Sequence, residues 1–197
     1  MKIAILSDIH GNHYALKAVL DACKKEGVEQ LFVLGDLVGY YYNPANVLEL
    51  LADWPHHLIK GNHEVILQDL SLGKLDATAL RLKYGSGHQI ALQQLTEAQQ
   101  NYLYNLPEQL DISTNGVNFQ LNHGTPWSID TYLYPDASSE NINRCHSVNH
   151  DFVLIGHSHY AFCHRGEKST LINSGSVGQS RQKGGLANWT LVHLPGK

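Results

Sequence analysis

The chain of 197 residues is 43% hydrophobic with a net charge of −4, which suits one domain with a substantial core and excludes the general basic footprint of a polymer-binding nucleic-acid protein. No apolar run approaches membrane-spanning length. Cys23, Cys145 and Cys163 are an odd count without metal-finger spacing, and a strand begins after one lysine, so a reduced cytoplasmic protein without a signal peptide is expected.

Taken in chain order, Ile3 to Leu6 is a short apolar run leading into Ser7-Asp8-Ile9-His10-Gly11. Runs of this kind beside glycine read as buried strands that stop where a loop begins. Leu16, Val19, Leu20 and Cys23 then follow helical spacing, stopped near Gly27. Leu31 to Leu34 leads into Gly35-Asp36, and Asn43-Pro44 is an N-cap with a first-turn proline ahead of Val47, Leu48 and Leu51. His57 to Lys60 leads into Gly61-Asn62-His63-Glu64. Residues from about 64 to 106 read as mostly helical, with a capping box at Thr96-x-x-Gln99, and are expected to overhang the site as a partial lid. Asn115-Gly116 signals a hairpin before the run from Val117 to Leu121, which leads into Asn122-His123-Gly124. Phe152 to Ile155 leads into Gly156-His157-Ser158-His159, and the C-terminal third, Leu186 to Leu194 included, reads mainly as strands. Strand–helix alternation followed by antiparallel pairs predicts one α/β domain over 1–197, a two-sheet core with helices outside.

Five of these strand ends carry an oxygen or imidazole ligand. Ligands of open α/β sheets bind beyond the carboxyl ends of the strands, so the five ends point at one shared site. Asp8, His10, Asp36, Asn62, His123, His157 and His159 are too many donors for one tetrahedral ion; they suit two ions of mixed N/O preference, such as manganese, iron or zinc. Asp8 and His10 are two apart, as are His157 and His159, which in extended backbone places each pair on one side. Asp36, with two carboxylate oxygens, is the candidate bridge. Two divalent cations against two carboxylates leave about +2, which attracts an anionic phosphoryl group.

The set Asp8-x-His10, Gly35-Asp36-x-x-Gly39, Gly61-Asn62-His63-Glu64, His123-Gly124 and Gly156-His157-Ser158-His159 resembles the calcineurin-like metallophosphoesterase superfamily, in family order and from Met1 to the end of the chain. Asn173 to Gln179 is similar to a loop of its small prokaryotic phosphodiesterase and phosphatase branch. The resemblance implies an α/β/β/α sandwich of two mixed sheets flanked by helices. It also implies two divalent ions, manganese first, with iron, zinc or nickel as alternatives. Asp8, His10, Asp36 and His159 would hold one ion; Asp36, Asn62, His123 and His157 would hold the other. His63 would be the catalytic proton donor, with Glu64 as its orienting neighbour. Three departures from the family pattern stand out: Ser174 where proline is usual, Tyr41-Tyr42 where Gly-Pro is frequent, and Glu64 where aspartate is common.

Arg181, Tyr40 and His88 are the candidate substrate contacts: a phosphate clamp, a stacking ring and a side chain of the expected lid. The other histidines read as surface or supporting residues, and Ser176, outside any Gly-x-Ser-x-Gly elbow, reads as a turn residue. The implied activity is hydrolysis of small phosphodiesters, with phosphomonoesters as further candidates, by a hydroxide shared between the ions. A nuclease assisted by a partner, and a non-catalytic binding module on the same fold, are the other readings. A small phosphate ester is the expected partner, a membrane or nucleic-acid polymer is not, and homo-oligomer formation is open.

Overall fold

The computed structural model describes residues 1–194, so residues 195–197 of the predicted domain lie outside the described residues. In chain order the elements are β1 (Lys2–Leu6), α1 (His13–Glu26), β2 (Gln30–Val33), α2 (Pro44–Ala52), β3 (His56–Leu58), α3 (Asn62–Ser71), α4 (Ala77–Tyr84), α5 (Gly87–Gln94) and α6 (Glu97–Tyr104). They continue with β4 (Gln109–Thr114), β5 (Val117–Asn122), α7 (Ser139–His146), β6 (Phe152–Ile155), β7 (Ala161–Arg165), β8 (Thr170–Ser174) and β9 (Thr190–His193). One sheet has the order β3-β2-β1-β9, the other β4-β5-β6-β8-β7. Both are mixed: β3, β2 and β1 are parallel with β9 antiparallel, and β5, β6 and β8 are parallel with antiparallel β4 and β7 at the edges.

The period-two alternation of strand side chains divides the core into layers. Ile3, Ile5, Phe32 and Leu34 face Phe119, Leu121, Leu154 and Ile172 between the sheets. There the Phe32 and Phe119 rings meet edge-on at 5.4 Å, an arrangement worth about 0.5–1.5 kcal/mol beyond area burial. Ala4, Leu6, Leu31 and Val33 turn the other way, against Leu16, Val19, Leu20 and Cys23 of α1 and Val47 and Leu51 of α2. Val153, Ile155 and Leu171 cover the far face of the second sheet together with Ile142 and Cys145 of α7. The result is two sheets flanked by helices.

Local chemistry sets the boundaries. The Asn12 side chain accepts the Ala15 amide at 3.1 Å at the start of α1, and Gly27 ends that helix in the left-handed region. Thr96 and Gln99 bond reciprocally at the head of α6. Asn115 and Gly116 turn β4 into β5 with φ of 51° and 78°.

Three expectations change. The expected strand-rich C-terminal third contains α7, whose eight residues bury only Ile142 and Cys145. The run from Leu186 to Leu194 forms a strand only over Thr190–His193. The third run starts earlier and is shorter, because Ile59 and Lys60 have already left the ladder. In the helical segment from 64 to 106, Leu67, Ala91, Leu95, Leu103 and Leu106 join the outer core of the first sheet.

Candidate metal centre

The carboxyl ends of β1, β2, β3, β5 and β6 converge because the loops that follow them are hydrogen-bonded to one another. The amides of Asp8 and His10 donate to Gly35 O and Asp36 O at 3.1 and 2.8 Å, and Gly156 N donates to His123 O at 2.7 Å. Bonds between these loops also join the sheets, among them His157 N to Asp8 Oδ2 at 3.0 Å and His123 Nδ1 to Leu34 O at 2.7 Å. Asp8, His10, Asp36, His157 and His159 all have positive φ, between 53° and 62°. The extended-backbone expectation for the two pairs is therefore wrong. Left-handed kinks aim these side chains, and His157 and His159 go to different groups. Each such residue costs on the order of 1–3 kcal/mol and persists only where its surroundings over-determine it. A concentration of such strain on polar residues is a mark of function.

Three groups of buried side chains have ligand atoms all within 4.8 Å of one another: Asp8, His10 and His159; His10, Asp36 and His63; and Asp36, His123 and His157. Asn62 joins the last through Oδ1, 3.0 Å from His123 Nε2. His10 Nδ1, His123 Nδ1 and His159 Nδ1 lie 3.1, 2.7 and 2.8 Å from the carbonyl oxygens of Val38, Leu34 and Gln179. A carbonyl only accepts, so each Nδ1 carries the proton and each Nε2 is left to face the centre. There His10 Nε2 and His159 Nε2 lie 3.0 Å apart, and Asp8 Oδ1 is buried without a hydrogen-bond partner among the described residues. Asp36 Oδ2 is 3.3 Å from His123 Nε2 and 3.8 Å from His10 Nε2, so it stands between two groups. Asp36 Oδ1 is already committed to the His63 amide at 2.9 Å, which leaves Oδ2 as the free oxygen.

Electrostatics follow from this burial. Burial opposes ionisation of Asp8, yet His159 and His123 hold its carboxyl down at about 2. Burial likewise opposes ionisation of Asp36, while His123 and His63 hold it well below the usual range. For His123, burial favours the neutral ring, but the Asp36 and Asp8 carboxylates outweigh it and push the imidazole up to about 10. Burial dominates at His10, pushed down to about 4, and lowers His157. Two carboxylates and a crowd of imidazole nitrogens in one dry space suit divalent cations of mixed N/O preference.

A profile of the calcineurin-like phosphoesterase superfamily domain matches residues 1–194. The chain belongs to that superfamily. An uncharacterised protein of Methanocaldococcus jannaschii is 34% identical, over 91% of this chain and 77% of that protein. A metallophosphoesterase from Sphaerobacter thermophilus superposes with a TM-score of 0.77 at 25% identity, over 98% of this chain and 84% of its own. A hypothetical protein from Pyrococcus horikoshii, at 22% identity and a TM-score of 0.77 over 90% of this chain and 77% of its own, shares the fold. The superfamily hydrolyses phosphoesters with divalent metals, and this chain has His/Asp clusters able to hold them.

In this calcineurin-like centre His63 sits at the head of α3, boxed by aromatic rings. His88 stacks on it at 4.8 Å and 15°, Tyr40 and Tyr84 lie at 5.1 Å, and His10 meets it edge-on at 4.7 Å. Burial pushes His63 well below its usual range and His88 to about 4. His63 Nδ1 has no hydrogen-bond partner among the described residues and faces Gly39, whose φ is +87°; a Cβ there would collide with that nitrogen.

Glu64 serves a different partner from the one expected. Its Oε2 accepts the Gly61 and Asp36 amides at 2.7 and 2.9 Å, and its Oε1 accepts those of Leu37 and Val38 at 2.8 and 3.3 Å. It thus fixes the loop that carries Asp36, and among the described hydrogen bonds it makes none to the His63 ring. Burial and the Asp36 charge push Glu64 up to about 7, against the pull of those amides. Glu64→Gln, which turns an NH₂ toward two of these donors, is expected to destabilise the metal-free protein by about 2–4 kcal/mol. Urea unfolding would show this as a lower midpoint; an unchanged midpoint would contradict the clamp.

The other sequence-predicted residues take varied places. Tyr40, with a φ of 50°, packs its ring against His10 at 4.7 Å. Arg181 is exposed at the rim, its amide 3.4 Å from His159 O. Its guanidinium tempers the upward push that burial gives the Tyr40 and Tyr132 phenols. Tyr41 and Tyr42 are exposed. Ser176 donates to Asp8 O and accepts the Gln179 amide, both at 2.7 Å, as a turn residue does. Asn173 ties the same loop to Gly156 O and Ser158 Oγ. Ser174, where proline is usual, leaves a buried hydroxyl without a partner among the described residues. Sequence reasoning missed Tyr84, Tyr132 and Asp130. Tyr132 stacks on His157 at 3.9 Å, and Asp130 Oδ1 lies 3.5 Å from His157 Nε2. Proximity to His123-Gly124 was the only local signal for Tyr132 and Asp130, and Tyr84, at the end of α4, had none.

Proposed function

We propose that the chain hydrolyses small phosphodiesters, with phosphomonoesters as secondary substrates, at a centre of two divalent ions. Manganese is the first choice, with iron, zinc or nickel as alternatives. Asp8, His10, Asp36 and His159 are assigned to one ion, and Asp36, Asn62, His123 and His157 to the other. The observation that carries this reading is the set of three imidazoles whose Nδ1–H groups are spent on backbone carbonyls, leaving each Nε2 within 4.0 Å of Asp8 Oδ1, and those of His10 and His123 also within 3.8 Å of the free Asp36 Oδ2. When bound, such ions supply Lewis acidity to phosphoryl oxygens and a water acidic enough to attack phosphorus near neutral pH.

The chain's own residues do the rest. Asp36 Oδ2 lies within reach of both ligand groups, held there by the Glu64 clamp. His63 is neutral in the free protein because of its burial. A phosphate ester beside it supplies the negative charge that favours its protonated form, so the proton is at hand when the leaving alkoxide needs it. Arg181 at the rim is placed to meet a phosphate oxygen. The net charge of −4 disfavours a long polyanion, while local cationic charge at the centre still captures a single phosphate at close range.

Cation uptake at pH 7 is expected to displace about one proton from His123. A group held up to about 10 is protonated there and must lose that proton to become a ligand. Affinity therefore falls as pH is lowered. Calorimetry in buffers of different ionisation enthalpy reads the released proton directly; buffer-independent heats would contradict it.

The substrate assignment is tested with bis-nitrophenyl phosphate, nitrophenyl phosphate, a cyclic nucleotide and a long single strand, at matched metal and salt. Diesters should be cleaved fastest. Faster cleavage of the long strand at physiological salt would favour a nuclease instead.

A further inference from the structure

The segment after His123-Gly124 carries two tyrosines that nothing in the ligand set requires. Leu133 between them is 2% exposed and packs with Ile142, Cys145 and Val153, which pins the segment to the second sheet. Tyr132 and Tyr134, on the other side, remain 46% and 39% exposed. Their rings are parallel within 6°, with centroids 5.9 Å apart. Tyr132 also lies on the His157 imidazole at 3.9 Å and 25°, and Tyr160 meets Tyr134 edge-on at 5.7 Å. An aromatic surface therefore begins at the ligand cluster itself and runs outward from it.

We propose that Tyr132 and Tyr134 form a stacking platform for one planar, nucleobase-sized ester group of the substrate, which makes the substrate class nucleoside phosphodiesters. The proposal rests on the phosphodiester reading above and narrows it. Fixed ring planes suit it, because stacking on a preset ring loses little side-chain freedom on binding. Every base has a π-face, so the platform distinguishes planar from non-planar ester groups and discriminates weakly among bases. The Arg181 guanidinium, which tempers the upward push on the Tyr132 phenol, adds a cation for the phosphate of such a substrate.

The test compares the nitrophenyl ester of thymidine monophosphate with methyl nitrophenyl phosphate, which have the same leaving group and the same charge. In the manganese-loaded protein, kcat/KM should favour the thymidine ester by about 5- to 150-fold, the range expected for one stacked base. Tyr134→Ala should bring the ratio close to one, and Tyr134→Phe should keep it. Calorimetry should show thymidine monophosphate binding more tightly than methyl phosphate by a similar factor, with the difference lost in Tyr134→Ala. Equal kcat/KM for the two esters in the parent protein, or a preference unaltered by Tyr134→Ala, overturns the platform. If neither ester is hydrolysed yet the Tyr134-dependent binding difference persists, the platform stands and the hydrolytic reading falls.

Discussion

Asp36→Asn is expected to lower turnover by roughly 10³-fold or more, because on the proposed two-ion reading each ion would stabilise several kcal/mol of transition-state charge and tenfold in rate corresponds to about 1.4 kcal/mol. Asp36 Oδ2 lies between His123 Nε2 and His10 Nε2, so one substitution weakens both ligand groups. Asparagine keeps an oxygen to accept the His63 amide, as Asp36 Oδ1 does at 2.9 Å, so the head of α3 should survive. The His123 imidazole should then be held less far above its usual range, since the Asp36 carboxylate is the first of the influences that raise it. Metal analysis and turnover of the purified variant check this together. Two tightly held ions with normal turnover would show that Asp36 does not serve both sites.

His63→Ala should lower turnover on poor leaving groups by roughly 10²- to 10⁴-fold, the usual range for a positioned acid. Nitrophenolate needs little protonation and should lose less. The ring that disappears is packed among Tyr40, Tyr84 and His88, so part of any uniform loss reflects that collapsed box. The split between the two kinds of substrate is therefore the informative readout. Equal losses on both, or lost metal occupancy, would mean that His63 positions or ligates instead of donating a proton.

Much of the fold could be read from the chain because strand ends and ligands occur together. Ile3 to Leu6 is apolar on both faces, being buried by α1 on one side and by the second sheet on the other, so it stands out as a continuous run before Asp8. Helix α1 shows its period at Leu16, Val19, Leu20 and Cys23 for the same reason. Helix α7 did not, because Ile142 and Cys145 are too few to show a period. Its real signals were capping and charge: the Ser138 side chain accepts the Asn141 amide, with Glu140 in the first turn and Arg144 and His146 in the last.

At the site, residue types were legible and backbone shape was not. Spacing of two suggested extended pairs, whereas loops tied together by Gly156 N to His123 O and His10 N to Asp36 O force left-handed kinks. Those bonds join residues distant in sequence, so no local pattern announces them. Glu64 was read as a neighbour of His63 because it follows it in the chain. A helical start turns consecutive side chains apart, and Glu64 reaches back to Gly61 and across to Asp36 instead. Tyr84 and His88 come to His63 only through the packing of α4 and α5.

The most direct measurement is hydrolysis of bis-nitrophenyl phosphate by chelator-stripped protein as manganese is added in known equivalents, with bound metal counted at each point. The two-ion phosphodiesterase predicts negligible rate in the stripped protein and a rate that climbs with the second equivalent and levels at two ions per chain. A rate that levels at one ion, or two ions bound without hydrolysis, would contradict it.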